Sequence, residues 1–290
     1  MPFPGVMPRN GYPTKELQMK QLRYFFTGVM VLLLAGCFEI QEQIDIKPDG
    51  TGNLTINTDM SKLLEVMQNY MGKEEMEKEI PAGKVLDTTV MMKNLVDTMQ
   101  NVSAESKELV KDGKVHMKLD MAQKIIKSDI HIPFSSQANL QKLYNTMNNQ
   151  NLGFSQLFKG MSGKKDKAGM DSSTADNPTD NAGGDNKSGP DMNQFNAIYD
   201  FTSHDGLISR KLNEQKWKDL QQSPQFAQTK DVSNMGITIP YTVTINLPRP
   251  VKKIDNALAK LSPDKKQVVI QYNLLEVLEH PEKFEFTIDY

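Results

Sequence analysis

An α+β fold, with a mainly antiparallel sheet built from hairpins and helices packed on one side, is what this chain of 290 residues predicts. Three observations carry that reading. Short runs alternate apolar and polar residues with period two, the mark of half-buried strands. Asp-Gly and Pro-Asp-Gly turns join several of them. Between the hairpins, apolar residues recur at spacings of three and four, as on one face of a helix.

In chain order, Phe38, Ile40, Ile44 and Ile46 share one parity and predict the first ordered strand. Pro48-Asp49-Gly50-Thr51-Gly52 makes a turn, and Leu54 and Ile56 continue a second strand. Asp59 or Ser61 is placed to cap a helix whose rows are Leu64, Met67, Met71 and Leu63, Val66, Tyr70. A second helix is expected to carry Met91, Leu95 and Met99, with Met92 and Val102 beside them. Asp112-Gly113 opens another hairpin, with Val115, Met117, Leu119 and Met121 on one arm and Ile126, Ile130, Ile132 and Phe134 on the other. Ser135 or Ser136 then caps a third helix bearing Leu140, Leu143, Tyr144 and Met147.

Residues 160–194 break the pattern. Lys, Asp, Asn, Gly and Ser dominate, no aromatic or β-branched aliphatic residue occurs, and the composition predicts a disordered linker or insert. Asp171, Asp176, Asp180 and Asp185 lie within it, but their spacing fits no EF-hand and lacks the closing glutamate.

Order is expected again from Phe195, with Ala197, Tyr199 and Phe201 alternating. Ser203-His204-Asp205-Gly206 turns towards Leu207 and Ile208, and Asn213 caps a short helix with Trp217 and Leu220. The cleanest strand places Ile237, Ile239, Tyr241, Val243, Ile245 and Leu247 on one face, with Pro240 predicting an edge position or a bulge. Pro248-Arg249-Pro250 ends it, and residues 251–261 read as a strand pair or an irregular strand. Ser262 to Lys266 turns into Val268, Ile270 and Tyr272, followed by a helical turn from Leu274 to Leu278 and a strand with Phe284, Phe286, Ile288 and Tyr290. The expected organisation is a leader over 1–36, an α+β portion over 37–159, the insert over 160–194, and a β-rich portion over 195–290 completing the same domain.

The most informative motif precedes all of this. Leu34-Ala35-Gly36-Cys37 closes an apolar run from Tyr24 to Leu34, which follows Lys20 and Arg23, and Cys37 is the sole cysteine. A basic start, a short apolar middle and a small-residue exit are the parts of a secretory leader. The run is shorter than the ~20 residues that cross a bilayer as a helix. Met19-Lys20 is a natural start for this leader, since residues 1–18 carry four prolines and no apolar run.

The segment resembles the bacterial lipoprotein signal, in which a peptidase cuts before a cysteine whose sulfur carries diacylglycerol. The resemblance implies cleavage between Gly36 and Cys37, lipidation of Cys37 with palmitate-like chains, and several chains for durable attachment. Phe38 stands where an aspartate commonly retains lipoproteins at the inner membrane, which implies the outer membrane, facing the periplasm or the cell surface. The mature part looks like uncharacterised envelope lipoproteins. Its Ile245-Asn246-Leu247-Pro248, Asn256, Asp264 and Val268 stretch is distantly similar to the LppM-like lipoprotein domain, an α+β domain associated with lipid binding.

Composition narrows the function classes. The first 36 residues hold four of the 34 basic and one of the 36 acidic side chains, leaving the rest at a net charge of −5. That balance gives no electrostatic case for nucleic acid. With Cys37 lipidated, no thiol remains for a disulfide or a metal thiolate. The four histidines, His116, His131, His204 and His280, fall in unrelated contexts, the first two opposite the apolar parity of their strands. No HExxH, Walker-type or GxSxG motif occurs, and no motif calls for a cofactor or metal. Glu74, Glu75, Glu77 and Glu79 read as a solvated helix face. Met60, Met67, Met71, Met76, Met91, Met92, Met99, Met117, Met121 and Met147 crowd the N-terminal half, as core packing or as an adaptable apolar groove. The expected function is a non-enzymatic, lipid-anchored envelope protein binding an apolar ligand or a partner protein. The alternatives are a structural component of an envelope complex, or a hydrolase whose residues only the fold would gather.

Overall fold

The structure, a computed structural model, describes residues 39–62, 85–97, 102–120, 122–149, 194–234 and 238–290. The expected leader, Cys37, the first helix beyond Lys62 and the expected insert from 160 to 193 lie outside the described residues, as do the four aspartates within that insert and Glu74 to Glu79.

β1 (Glu39–Ile46) and β2 (Gly52–Asp59) form the first hairpin. Gly50 takes φ +81° in the turn, where Asp49 accepts from the Thr51 N–H and glycine carries no steric cost. β3 (Val85–Met91) follows, then α1 (Met92–Val96) and α2 (Ala104–Val110), capped by the Ser103 hydroxyl. β4 (Lys114–Asp120) and β5 (Ile125–Phe134) make the second hairpin, and α3 (Gln137–Asn149) starts where Ser136 accepts from the Asn139 N–H. The single turn α4 (Gln194–Ala197) leads into the hairpin of β6 (Tyr199–His204) and β7 (Leu207–Leu212). Then come α5 (Glu214–Gln221), capped by Asn213, and α6 (Pro224–Asn234). β8 (Pro240–Asn246), β9 (Lys253–Ile254), β10 (Ala259–Leu261), β11 (Gln267–Asn273), two 3-10 turns over Leu274–Leu278 and Pro281–Phe284, and β12 (Phe286–Asp289) complete the chain.

Two sheets result. The larger has eight strands in the order β10-β11-β8-β1-β2-β5-β4-β3, and the smaller has four, β6-β7-β12-β9. Every pairing is antiparallel except that of β1 with β8, which run parallel from the Ile40–Tyr241 pair. Strands from both sides of residues 150–193 therefore share one sheet, and the described residues belong to one compact unit. The α+β reading with a mainly antiparallel sheet holds. Ile44, Leu54, Ile132, Val243, Ile245 and Val268 pack the inner face of the large sheet at almost no exposure. Phe201, Ile208, Phe286 and Ile288 of the small sheet, with Leu140 and Leu143 of α3, belong to the same buried cluster. Its outer face carries Gln41, Gln43, Thr55, Asn57, His116 and Thr242.

Several local expectations change. Met91 ends a strand instead of lying inside a helix: Thr88, Thr89, Val90 and Met91 all pair with β4, and the helix after them is only five residues long. β-Branched residues favour that extended state, and the methionine spacing of four was coincidence with it. Pro240 sits on an interior strand, between β11 and β1, because it is the first residue of β8, where a missing N–H costs no ladder bond. Ala197 ends a helical turn, which buries Phe195 and Ile198 rather than alternating with Tyr199. Phe284 closes a 3-10 turn instead of opening the last strand. The α2 and α6 helices had no clear apolar stripe to predict them.

Candidate functional site

The most concentrated chemistry in the described residues lies between the two sheets. Even-numbered residues of β1 point inward, which buries Ile40, Ile44 and Ile46, and Glu42 follows the same parity to 2% exposure. On β7 the buried parity is that of Ile208, and it carries Arg210 inward, also to 2% exposure. The two meet. Arg210 Nη2 donates to Glu42 Oε1 at 3.0 Å and to Oε2 at 3.1 Å.

Five aromatic residues complete the surroundings. Tyr144 of α3 donates its hydroxyl to Glu42 Oε1, and Tyr241 of β8 donates to Oε2 at 2.5 Å. Arg210 Nη1 donates to the Tyr272 hydroxyl at 3.2 Å, and the guanidinium carbon lies 5.3 Å from the centre of the Phe286 ring, a cation–π contact. The Tyr241 and Tyr272 rings stack at 5.0 Å, and Tyr144 stacks on Phe201 at 3.9 Å. Asn196 donates to the Tyr241 hydroxyl at 3.1 Å.

The electrostatics follow from burial. Desolvation, then the Glu42 charge, pushes the Tyr144 hydroxyl well above the ordinary phenol range, and the Tyr241 hydroxyl shifts the same way for the same reasons. Burial opposes the charge on Arg210, but Glu42 outweighs it and the guanidinium pKa is raised. Each Glu42 oxygen accepts one N–H and one O–H from within the protein, so neither has an open direction for a substrate proton. Buried charge is tolerated when it is paired and hydrogen-bonded in this way. The arrangement is that of a pin between sheets.

A second constellation lies on the outer face. His116 of β4 sits between Asp87 of β3, 2.9 Å from Nε2, and Asp129 of β5, 3.3 Å from Nδ1. The hydrogen bond to Asp87, then that to Asp129, raises the His116 pKa above its ordinary value. Lys118 lies 3.8 Å from Asp87, so the cluster is a row of compensated surface charges. His131 shares a hydrogen-bonding distance of 3.2 Å with Thr55, also on the outer face, while His204 and His280 are exposed elsewhere. The four histidines do not converge, and no group of three metal-ligating side chains occurs among the described residues.

A recess of about 340 Å³ opens where α2, β5 and the start of α3 meet. Leu109, Pro133, Phe134 and Leu143 supply apolar walls, and Glu108, Lys111, Asp112, Ser135 and Asn139 supply polar ones. Its size falls at the low end of small-molecule sites. No methionine lines it. Met92 and Met117 are buried, Met60 and Met147 pack against the core, and Met91 is 47% exposed, while Met67, Met71, Met76, Met99 and Met121 lie outside the described residues.

No protein-family model matches the chain, and no curated protein or solved structure matches it either. The pin was missed by sequence reasoning although it left a trace there. Glu42 interrupts the buried parity of Ile40, Ile44 and Ile46, and Arg210 that of Ile208. A charged residue on an apolar parity marks either a broken strand or a buried pair. Which partner it takes depends on sheet packing, which no local pattern encodes.

Proposed function

We propose that the chain is a lipid-anchored cell-envelope protein with a non-catalytic role, held in the outer membrane by acylated Cys37 and binding an apolar ligand or a partner protein. The observation that carries this reading is Leu34-Ala35-Gly36-Cys37 at the end of a basic and apolar leader, with β1 beginning only two residues later at Glu39. A folded unit thus follows the acylation position without a spacer.

The buried network gives Glu42 a structural role between the sheets and not that of a proton carrier. A general acid or base must exchange protons with a substrate within hydrogen-bond reach. Glu42, the most deeply buried carboxylate of the described core, has both oxygens filled by Arg210, Tyr144 and Tyr241. The recess between α2, β5 and α3 offers a small ligand both apolar and polar walls.

Native mass spectrometry of the soluble domain, released from its own envelope extract and delipidated at Cys37, tests the ligand. A co-purifying lipid of defined mass is expected. A clean apo mass with a stable protein partner would replace the ligand by a structural role in a complex. Turnover of an ester or glycoside library would overturn the non-catalytic reading.

A further inference from the structure

The chain gives the sheet a direction relative to its anchor. Cys37 is joined to Glu39 through Phe38 alone, and two trans peptide links span at most about 7.6 Å. Resting on the reading that Cys37 carries the acyl chains, we infer that the end of the large sheet where β1 begins faces the bilayer, presenting Lys62 and Val85 to phospholipid headgroups.

The register decides which residues share that end. Glu39 pairs with Asp59, the last residue of β2, and Asp59 pairs with Lys127 near the start of β5. The β4–β5 hairpin turns at the same level, with Asp120 opposite Ile125, and β3 starts there with Val85 opposite Asp120. β8 begins there too, because it runs parallel to β1 with Ile40 opposite Tyr241.

What these residues offer suits a headgroup layer. Lys62 is exposed, while Lys127 is tied to Asp59 at 2.9 Å. Val85, at 63% exposure, is the most exposed large hydrophobic among the described residues. Flexible cationic side chains reach phosphates while apolar groups enter the boundary between headgroups and acyl chains. Charge alone would not choose this end, since Lys47, Lys265 and Lys266 are exposed at the opposite one. The tether chooses it. The eight residues of β1 put the Lys47–Gly50 turn about 25 Å further from the anchor, at ~3.3 Å per residue.

The chain itself makes the test clean. Once Cys37 is acylated no other thiol exists, so an introduced cysteine is the only one a fluorophore can label. The acylated full chain is reconstituted in phosphatidylcholine–phosphatidylglycerol vesicles containing a headgroup-attached nitroxide quencher. Lys124→Cys and Val85→Cys report the proposed end, and Asp49→Cys the opposite turn. Quenching at least three-fold stronger at positions 124 and 85 than at 49 is expected. Equal quenching on floated vesicles, including none at either end, or stronger quenching at 49 overturns the orientation while leaving the anchor intact. Failure of the protein to float with the vesicles overturns the anchor and the orientation together.

Discussion

Glu42 and Arg210 stand 168 positions apart in the chain and meet as a fully buried ion pair, each carboxylate oxygen within 3.1 Å of one guanidinium nitrogen. The pair links β1 of the large sheet to β7 of the small one. Hydrophobic burial is non-directional and leaves two packed sheets free to slide. A charge pair with a defined partner set is not, and we propose that it fixes their mutual register.

Removing both partners should therefore cost less than the sum of removing each alone. Arg210→Met leaves the Glu42 carboxylate without its cation, and Glu42→Leu leaves a buried guanidinium. Each should destabilise by about 3–5 kcal/mol. The double variant should recover part of that loss, short of full recovery because Tyr144 and Tyr241 lose their acceptor, at about 1–3 kcal/mol per orphaned hydroxyl. Urea unfolding of the four proteins checks the cycle, and additive losses would remove the pair from the account.

The tyrosines give a pH signature. Burial raises the pKa of Tyr144, Tyr199, Tyr241, Tyr272 and Tyr290 above the ordinary phenol value near 10. The unfolded chain then releases protons above about pH 10 that the folded chain keeps. Stability is fully present below that pH and falls as pH rises beyond it. Absorbance near 295 nm should show these five hydroxyls ionising together with loss of the near-ultraviolet circular dichroism. Their ionisation in the folded protein, ahead of unfolding, would contradict the burial.

His116 predicts a smaller effect of the same sign. Its folded pKa lies above the unfolded value of about 6.5, so its contribution is complete below that pH and is lost as pH rises through the folded value. With 38% of the side chain exposed, solvent screening keeps the gain small. Nuclear magnetic resonance titration should place the ring above 6.5 in the native chain, and lower in Asp87→Asn. Amide exchange in β3 should quicken above that pH in the native chain and be flat across it in His116→Gln.

The period-two runs made most of the strands legible, because one face of each was buried and the alternation was broken only at single positions such as Glu42 and Arg210. β3 was not legible. Val85 to Met91 has no buried face, each residue being half-buried or exposed, so its alternation carries no apolar contrast and the methionine spacing dominated. The site was less legible than the fold. Tyr241 and Tyr272 read as ordinary apolar strand positions, and nothing local distinguishes a tyrosine filling a core from one donating to a buried carboxylate. Pairing of β1 with β8 brings Tyr241 beside Glu42, and that is a long-range event.

Gly52 tests the hairpin that carries Glu42. A Cβ there would lie 1.8 Å from the Asp45 carbonyl oxygen and 2.4 Å from Phe134 Cζ, so the strand and the ring would both have to move. Gly52→Ala should destabilise by about 2–3 kcal/mol, the upper range of overpacking. An unchanged unfolding midpoint would mean that β1, β2 and β5 are not in the register of Ile46 with Gly52 and Gly52 with Phe134.

Intact mass of the membrane-extracted protein decides whether the folded unit hangs from an acylated cysteine. The expected mature chain begins at Cys37 and is heavier than residues 37–290 by a diacylglycerol thioether and an amide-linked acyl chain, with Cys37→Ser losing this mass and accumulating with its leader uncut. A chain of unmodified mass, or a Cys37→Ser protein that stays membrane-bound with its leader removed, would contradict it.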